Sequence, residues 1–200
     1  MTKFYPTPYA KHGLPNPQGK GLSPILDSLS EYKRLSAAAP KHITQVSTEL
    51  FTSLFILESQ IRFKPVVERS YWLYYKNGSW QLSMISPEQW HSAQSGEYFG
   101  ECRLLRDLTW SLALSDNAAQ NAELMALLDQ RRQDFEQQLN SVEQLQASLP
   151  VYVDSFSFYS RVLASGLAYS LGSSMQQTGI ASLNHAQALQ QQTLALVNLE

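Results

Sequence analysis

Residues 71–90, YWLYYKNGSWQLSMISPEQW, are the stretch whose reading decides the fold. Asn77-Gly78 tolerates positive φ at both central positions of a type I′ turn, and it sits between two runs rich in aromatic and β-preferring residues. The pattern predicts a β-hairpin over 71–85 with Lys76 opposite Ser79, Tyr75 opposite Trp80, Leu73 opposite Leu82 and Tyr71 opposite Met84. The last three pairs share an apolar face, while Trp72, Tyr74, Ser79, Gln81 and Ser83 lie on the other. Ser86-Pro87-Glu88 reads as N-cap, first helical position and first-turn acid of a short helix carrying Trp90. A lone hairpin is marginal in water, so its apolar face needs a cover from elsewhere in the chain.

Upstream of Pro65 that cover is helical. After Pro40, a seam of Ile43, Val46, Leu50, Leu54, Leu57 and Ile61 is widened by Phe51 and Phe55, enough to contact both another helix and the hairpin. Ser23-Pro24 opens an earlier helix, with Leu22, Ile25, Leu26, Leu29, Tyr32 and Leu35 at helical spacing. Residues 1–21, broken by Pro6, Pro8, Pro15 and Pro17, read as an extended arm. Downstream of a polar loop through Ser95-Gly96, residues 98–105 add a strand, and Leu108 and Trp110 read as inward anchors. The expectation is an α+β domain over 22–115: a helical pair packed on a small antiparallel hairpin sheet.

Beyond Ser115 the chain reads differently. Ser115-Asp116 is a further N-cap with a first-turn acid, and no proline or glycine follows until Pro150. One long amphipathic helix over 116–149 is expected, about 33 residues and roughly 50 Å. Leu124, Leu128, Phe135, Val142, Leu145 and Leu149 repeat every seven residues, but Arg131 and Gln138 interrupt the seam, so the helix needs a partner. Residues 150–200 turn to Ser, Ala, Leu and Gln. Ser160, Ala164, Ala168 and Gly172, spaced by four, put small residues on one helical face and allow close approach of another backbone, so they are the expected self-association residues. Phe156, Phe158, Tyr159, Val162, Leu163, Leu167, Tyr169 and Leu171 surround that stripe, and the final segment over 180–199 is polar without charge.

The formal net charge of -2 excludes a strongly basic nucleic-acid binder, although the charge is uneven: 12 basic against 9 acidic residues through Ser115, then 3 against 8. Cys102 is the only cysteine, which excludes an intrachain disulfide and a C-x-x-C site and fits a reducing, cytoplasmic setting. The N-terminus shows no apolar signal region. The nearest candidate for a membrane span, 151–175, carries Asp154, Arg161 and many serines, so no membrane partner is expected.

No reaction is named by these residues. His12, His42, His91 and His185 are scattered without metal-binding spacing, so no metal and no cofactor are expected. There is no phosphate loop, dinucleotide fingerprint or nucleophile elbow. Cys102 reads as a buried structural thiol rather than a nucleophile. Asp107 reads as a residue that caps a turn or binds the Ser86 region; as a catalytic acid it lacks a visible partner carboxylate. The binding candidates are aromatic. Trp72 and Tyr74 on the hairpin's outer face could hold a peptide or stack bases, with Lys76, Arg62, Lys64 and Arg69 supplying charge. Trp80 and Trp90 read as core, with Trp90 and Asp107 kept beside Trp72, Tyr74 and Lys76 as site residues.

Two resemblances add to this. Tyr71-x-Leu73-Tyr74, Gly78, the run Ser83-Met84-Ile85-Ser86-Pro87-Glu88-x-Trp90, Phe99-Gly100 and Leu105-x-Asp107-Leu108-x-Trp110 make residues 12–110 resemble a family of unknown function found in bacteria and eukaryotes, including a human open-reading-frame protein. That resemblance implies a domain and carries no activity. Val153-Asp154-Ser155, the small-residue run over 164–172 and Asn184-x-Ala186-x-Ala188-x-Gln190-Gln191-Gln192 make residues 153–198 resemble the short killing-trait proteins of refractile bodies, a family associated with coiled proteinaceous ribbons in bacterial cells. Those proteins are usually free-standing, whereas here the match follows a separate domain. Together these readings lead to the expectation of a non-enzymatic interaction or assembly protein of the bacterial cytoplasm, a homo-oligomer through its C-terminal helices. The alternatives are a peptide or single-strand nucleic-acid binder through the hairpin, or an enzyme with a cleft near Asp107.

Overall fold

A computed structural model describes residues 39–90 and 96–197. The expected arm over 1–21, the helix opened by Ser23-Pro24, His12 and His91 lie outside the described residues. The described residues form a mixed fold with one four-stranded antiparallel sheet, ordered β2-β1-β3-β4, and five α-helices.

The hairpin forms as its turn chemistry requires. Asn77 and Gly78 both take positive φ, 49° and 76°, and join β1 (Ser70–Lys76) to β2 (Ser79–Ser83). Lys76 pairs with Ser79, Tyr75 with Trp80 and Leu73 with Leu82. The expected Tyr71–Met84 pair does not form: β2 ends at Ser83, and Met84 is exposed. The chain leaves the ladder there because Ile85 N–H donates to Ser83 Oγ (3.0 Å) and the Tyr74 hydroxyl donates to the Ile85 carbonyl (3.0 Å), drawing the strand end over the outer face. The short helix after Ser86 is a single 3-10 turn, Pro87–Gln89, and Trp90 follows it in extended conformation.

β3 (Glu97–Leu104) is the expected extra strand, with one irregularity. Leu73 pairs with Gly100 but Tyr74 pairs with Tyr98, so Phe99 is an extra residue that bulges. The bulge sends Phe99 to the same side as Cys102 and Leu104, all three fully buried. Gly100 has no room for a side chain: a Cβ there lies 2.4 Å from the Ala113 carbonyl oxygen. Sequence reading stopped at anchors, whereas Trp110 begins a fourth strand, β4 (Trp110–Leu114), paired with β3 from Leu104↔Trp110 to Gly100↔Leu114.

α1 (Ile43–Leu57) covers the sheet. Phe55 packs on Trp80 (5.0 Å between ring centroids) and Phe99 (6.0 Å), while Phe51 turns to Phe135 (5.6 Å). The seam continues to Ile61 in sequence, but the helix stops at Leu57. The Ser59 hydroxyl donates to the Ile56 carbonyl (2.6 Å), Gln60 joins the edge of β2, and Ile61 reaches the core from extended chain.

The long helix expected over 116–149 is divided. α2 (Asp116–Gln120) and α3 (Ala122–Ser141) meet at Asn121, whose extended backbone (ψ 104°) ends one and whose Oδ1 accepts from the N–H groups of Glu123 and Leu124 (3.0 and 3.2 Å) to start the other. A 3-10 turn, Leu145–Ser148, follows. α4 (Phe158–Gln177) starts at Ser157, and α5 (His185–Val197) follows Gly179.

Buried clusters cross the boundary expected near Ser115. One buried cluster joins Leu50, Phe55, Tyr71, Leu73, Phe99 and Trp110 to Leu124, Leu128, Val153, Phe156, Leu163 and Leu167. A second joins Ile43 and Val46 to Leu139, Leu145, Met175, Ile180 and Ala188. The apolar seams of α3 and α4 are therefore spent inside the chain. Arg131, which interrupts the seam, pairs with Glu58 (3.0 Å), and Arg132 lies 5.3 Å over the Phe51 ring.

Candidate functional site

The most concentrated polar arrangement among the described residues centres on Lys41, just ahead of α1. Its ammonium is almost buried and donates to Glu49, in α1, and to Asp107, in the turn between β3 and β4. Asp107 also caps that turn, since its Oδ1 accepts from Thr109 N–H (3.2 Å) and Thr109 Oγ (2.7 Å). Leu108, at φ 65°, makes the reversal. One further bond ties the same elements together: Trp110 N–H donates to Ser53 Oγ (2.9 Å).

Electrostatics follow from this packing. Burial alone lowers a lysine, but hydrogen bonds to Asp107 and Glu49 and their charges outweigh it and raise Lys41. Burial alone raises Asp107, but hydrogen bonds from Lys41 and Thr109 and the lysine charge hold it below the ordinary aspartate value. Asp107 is thus a committed carboxylate with both oxygens engaged, poorly suited to donate a proton near neutral pH. Its turn-capping role is one of the two read from sequence. Lys41 and Glu49 were missed, since the Lys41–Asp107 contact spans 66 residues and no local spacing announces it.

The hairpin's outer face is less open than its alternation predicts. Tyr74 is only 2% exposed, between Trp90 (6.1 Å, edge-on) and Tyr98 (5.6 Å). Burial first, and the neighbouring Tyr98 second, push its phenol up to about 12. The reason is the wrap of residues 84–90 across the sheet, which no hairpin pattern contains. Trp72 remains half-buried opposite Ser83 and Glu101. Lys76 stands at the Glu97 end of the sheet, whereas Asp107 lies beyond the opposite end, where Ser70 pairs with Arg103. Trp72, Tyr74 and Trp90 therefore share one face, and Lys76 and Asp107 do not join them.

The small-residue stripe also has a definite place. Ser160, Ala164 and Ala168 are buried inside the chain, and a Cβ on Gly172 lies 3.2 Å from Leu149 Cδ1. α4 packs against α1, and Ser174 Oγ donates to the Ala39 carbonyl (2.9 Å). The close approach that small residues permit is made within the protein, and it turns the aromatics of α4 outward. Phe158 is 49% and Tyr169 50% exposed, and in the loop before the helix Val151 is 62% and Tyr152 66% exposed.

Other chemistry finds little support. Cys102 is fully buried, and burial pushes its thiol up, away from reactivity. His185 contacts Asn140 Oδ1 (2.7 Å). Among the described residues no cluster of three His, Cys, Asp or Glu side chains could hold a metal ion, and no helix is long and apolar enough to cross a membrane.

No curated protein and no solved structure matches the chain. One family does, over the sheet, α1, α2 and the first half of α3, running past the boundary expected at Ser115 and ending before the tail. Residues 40–131 match the family described as Protein of unknown function (DUF2452), a likeness expected for this part of the chain.

Proposed function

We propose that this protein is a non-enzymatic interaction protein that self-associates through the outward face of α4 and the loop before it. The observation that carries the reading is the exposure of Val151 and Tyr152 in the loop and of Phe158 and Tyr169 on the helix after it, whose only charged residue is Arg161. Phe158 and Tyr169 are 11 positions apart, about three turns, so they lie on nearly the same face about 16 Å from each other. A strip with an aromatic at each end is self-complementary: two antiparallel copies set each Phe158 beside the other's Tyr169, across the small Ser165. The resemblance of residues 153–198 to the ribbon-associated killing-trait proteins, read from the sequence alone, points in the same direction. So does the Lys41 cluster, whose groups are occupied by one another and resemble a structural tie more than a reaction centre.

The test is the mass of the full chain by light scattering across a concentration series. Wild type is expected to gain mass with concentration, and Tyr152→Glu with Phe158→Glu to gain distinctly less, having lost the α4 contact. A double variant that associates as wild type does overturns this reading.

A further inference from the structure

The two edges of the sheet are treated differently. At β2, Gln60 occupies the edge: its N–H donates to the Trp80 carbonyl (2.8 Å) and its carbonyl accepts from Leu82 N–H (3.2 Å). At β4 the backbone of Thr109 and Ser115 faces β3, because Leu105 N–H donates to the Thr109 carbonyl (2.9 Å) and Ser115 N–H donates to the Phe99 carbonyl (2.9 Å). By strand alternation the groups of Trp110, Leu112 and Leu114 point away from the sheet. Trp110 N–H is taken by Ser53 Oγ. Among the described residues nothing hydrogen-bonds the outward N–H and C=O of Leu112 and Leu114. Natural edges are blunted by proline, charge or a bulge, and Ser111-Leu112-Ala113-Leu114 carries no proline and no charge and pairs with β3 in unbroken register.

We propose that β4 pairs with β4 of a second copy, antiparallel about a two-fold axis at Leu112, joining two sheets into one of eight strands. Only residues with outward groups can exchange bonds, so Leu112 faces its counterpart and Trp110 faces Leu114. Leu112 then exchanges two hydrogen bonds with its counterpart, and each Leu114 N–H donates to the Trp110 carbonyl opposite. Charge complementarity selects a second copy as the occupant. Within one chain Arg103 is paired with Ser111 and Glu101 with Ala113. The two-fold therefore creates, twice, the row Arg103, Ser111, then Ala113 and Glu101 of the second copy. Three strand spacings, about 14 Å, separate the charged residues' backbones. The two residues between are small and exposed, so the long side chains can lean toward each other above them. The Arg103–Glu68 pair on the same chain (3.1 Å) is exposed and yields at little cost. This surface uses none of the residues of the α4 face and does not rest on it.

Disulfide trapping and charge exchange test it in the full chain. Ser111 and Ala113 of opposite copies form a non-hydrogen-bonded pair, about 4.5 Å between Cα atoms, which suits a disulfide. Ser111→Cys with Ala113→Cys is expected to give a covalent dimer on oxidation, also when Phe158→Glu removes the α4 contact, since Cys102 is buried and out of reach. Arg103→Glu is expected to weaken dimerisation at least tenfold in that same Phe158→Glu protein, and Glu101→Arg added to it to restore the affinity to within about threefold. Both substitutions are on exposed positions. A folded double-cysteine protein that stays monomeric on oxidation, or an exchange variant as weak as Arg103→Glu alone, overturns the inference. A Tyr152→Glu with Phe158→Glu protein that associates no further than the dimer while the disulfide still forms separates the two surfaces.

Discussion

The outer face of the hairpin and the outward face of α4 exchange the roles their sequences suggest. On the hairpin, strict alternation points Tyr74 to solvent, and yet it is buried between Trp90 and Tyr98 with its hydroxyl satisfied by the Ile85 carbonyl. On α4, Phe158 and Tyr169 belong to a helix apolar nearly all round and so look destined for burial, and yet half of each is exposed. An aromatic residue becomes a contact surface only when no other part of the chain covers it. Cover is a long-range property. Residues 84–90 supply it at the hairpin; at α4 the small residues Ser160, Ala164 and Ala168 are buried while Phe158 stays half exposed.

Substitutions at three positions sharpen that contrast. The largest effect belongs to Tyr74→Ala, which removes a buried ring from the middle of an aromatic cluster and should cost about 3–5 kcal/mol in urea unfolding. A cost under about 1 kcal/mol breaks the comparison, because it means that the ring is effectively solvated. Tyr74→Phe gives a companion readout: the phenolate step near pH 12 should disappear from the absorbance titration.

A smaller effect is expected at the polar tie. Asp107 is held below its ordinary value, so the stability it contributes is complete above the unfolded value of about 3.9 and is lost as pH falls through the folded value. Lys41 is raised, so its contribution is complete below about 10.4 and is lost as pH rises through its folded value. Asp107→Asn should destabilise by about 2–3 kcal/mol at neutral pH, where Glu49 still pairs with Lys41, and should flatten the acid limb of the stability profile. An unchanged acid limb places the proton uptake elsewhere. The smallest effect is expected for Phe158→Ser, within about 0.5 kcal/mol of wild type in the monomer. A loss near that of Tyr74→Ala shows Phe158 to be core, and removes the surface proposed for association.

Much of the fold was legible because its signals are local. The Asn77-Gly78 turn, the register from Lys76–Ser79 to Leu73–Leu82, the N-cap at Ser115 and the seam of α1 each depend on residues within a few positions of one another. What misled the reading was continuity. Without proline or glycine between Ser115 and Pro150, one helix was expected, but Asn121 ends α2 and caps α3 with its own side chain, an option helix propensity alone does not weigh. The bulge at Phe99 and the strand after Trp110 were invisible for a related reason, since each is defined by its neighbour across the ladder.

The candidate surfaces were partly legible in the same sense. Tyr74 and Trp90 pack together, and the segment around α4 stands out in the sequence for its small residues. Lys41 and Glu49 were not, and the open edge of β4 was not, because both depend on partners far away in sequence or on a partner's absence.

By itself the sequence determined the hairpin turn and the register beside it, the seam of α1, the lone buried cysteine and the mixed α and β character, since these follow from backbone preferences and hydrophobic period within short windows. Only tertiary structure decided that the two halves share one core, that Lys41 bridges Glu49 and Asp107, and that Tyr74 is covered while, among the described residues, nothing pairs with the outward groups of Leu112 and Leu114. The physical reason is that burial and ion pairing are settled by competition among all surfaces of the chain for the same contacts. That competition is resolved only when distant segments meet.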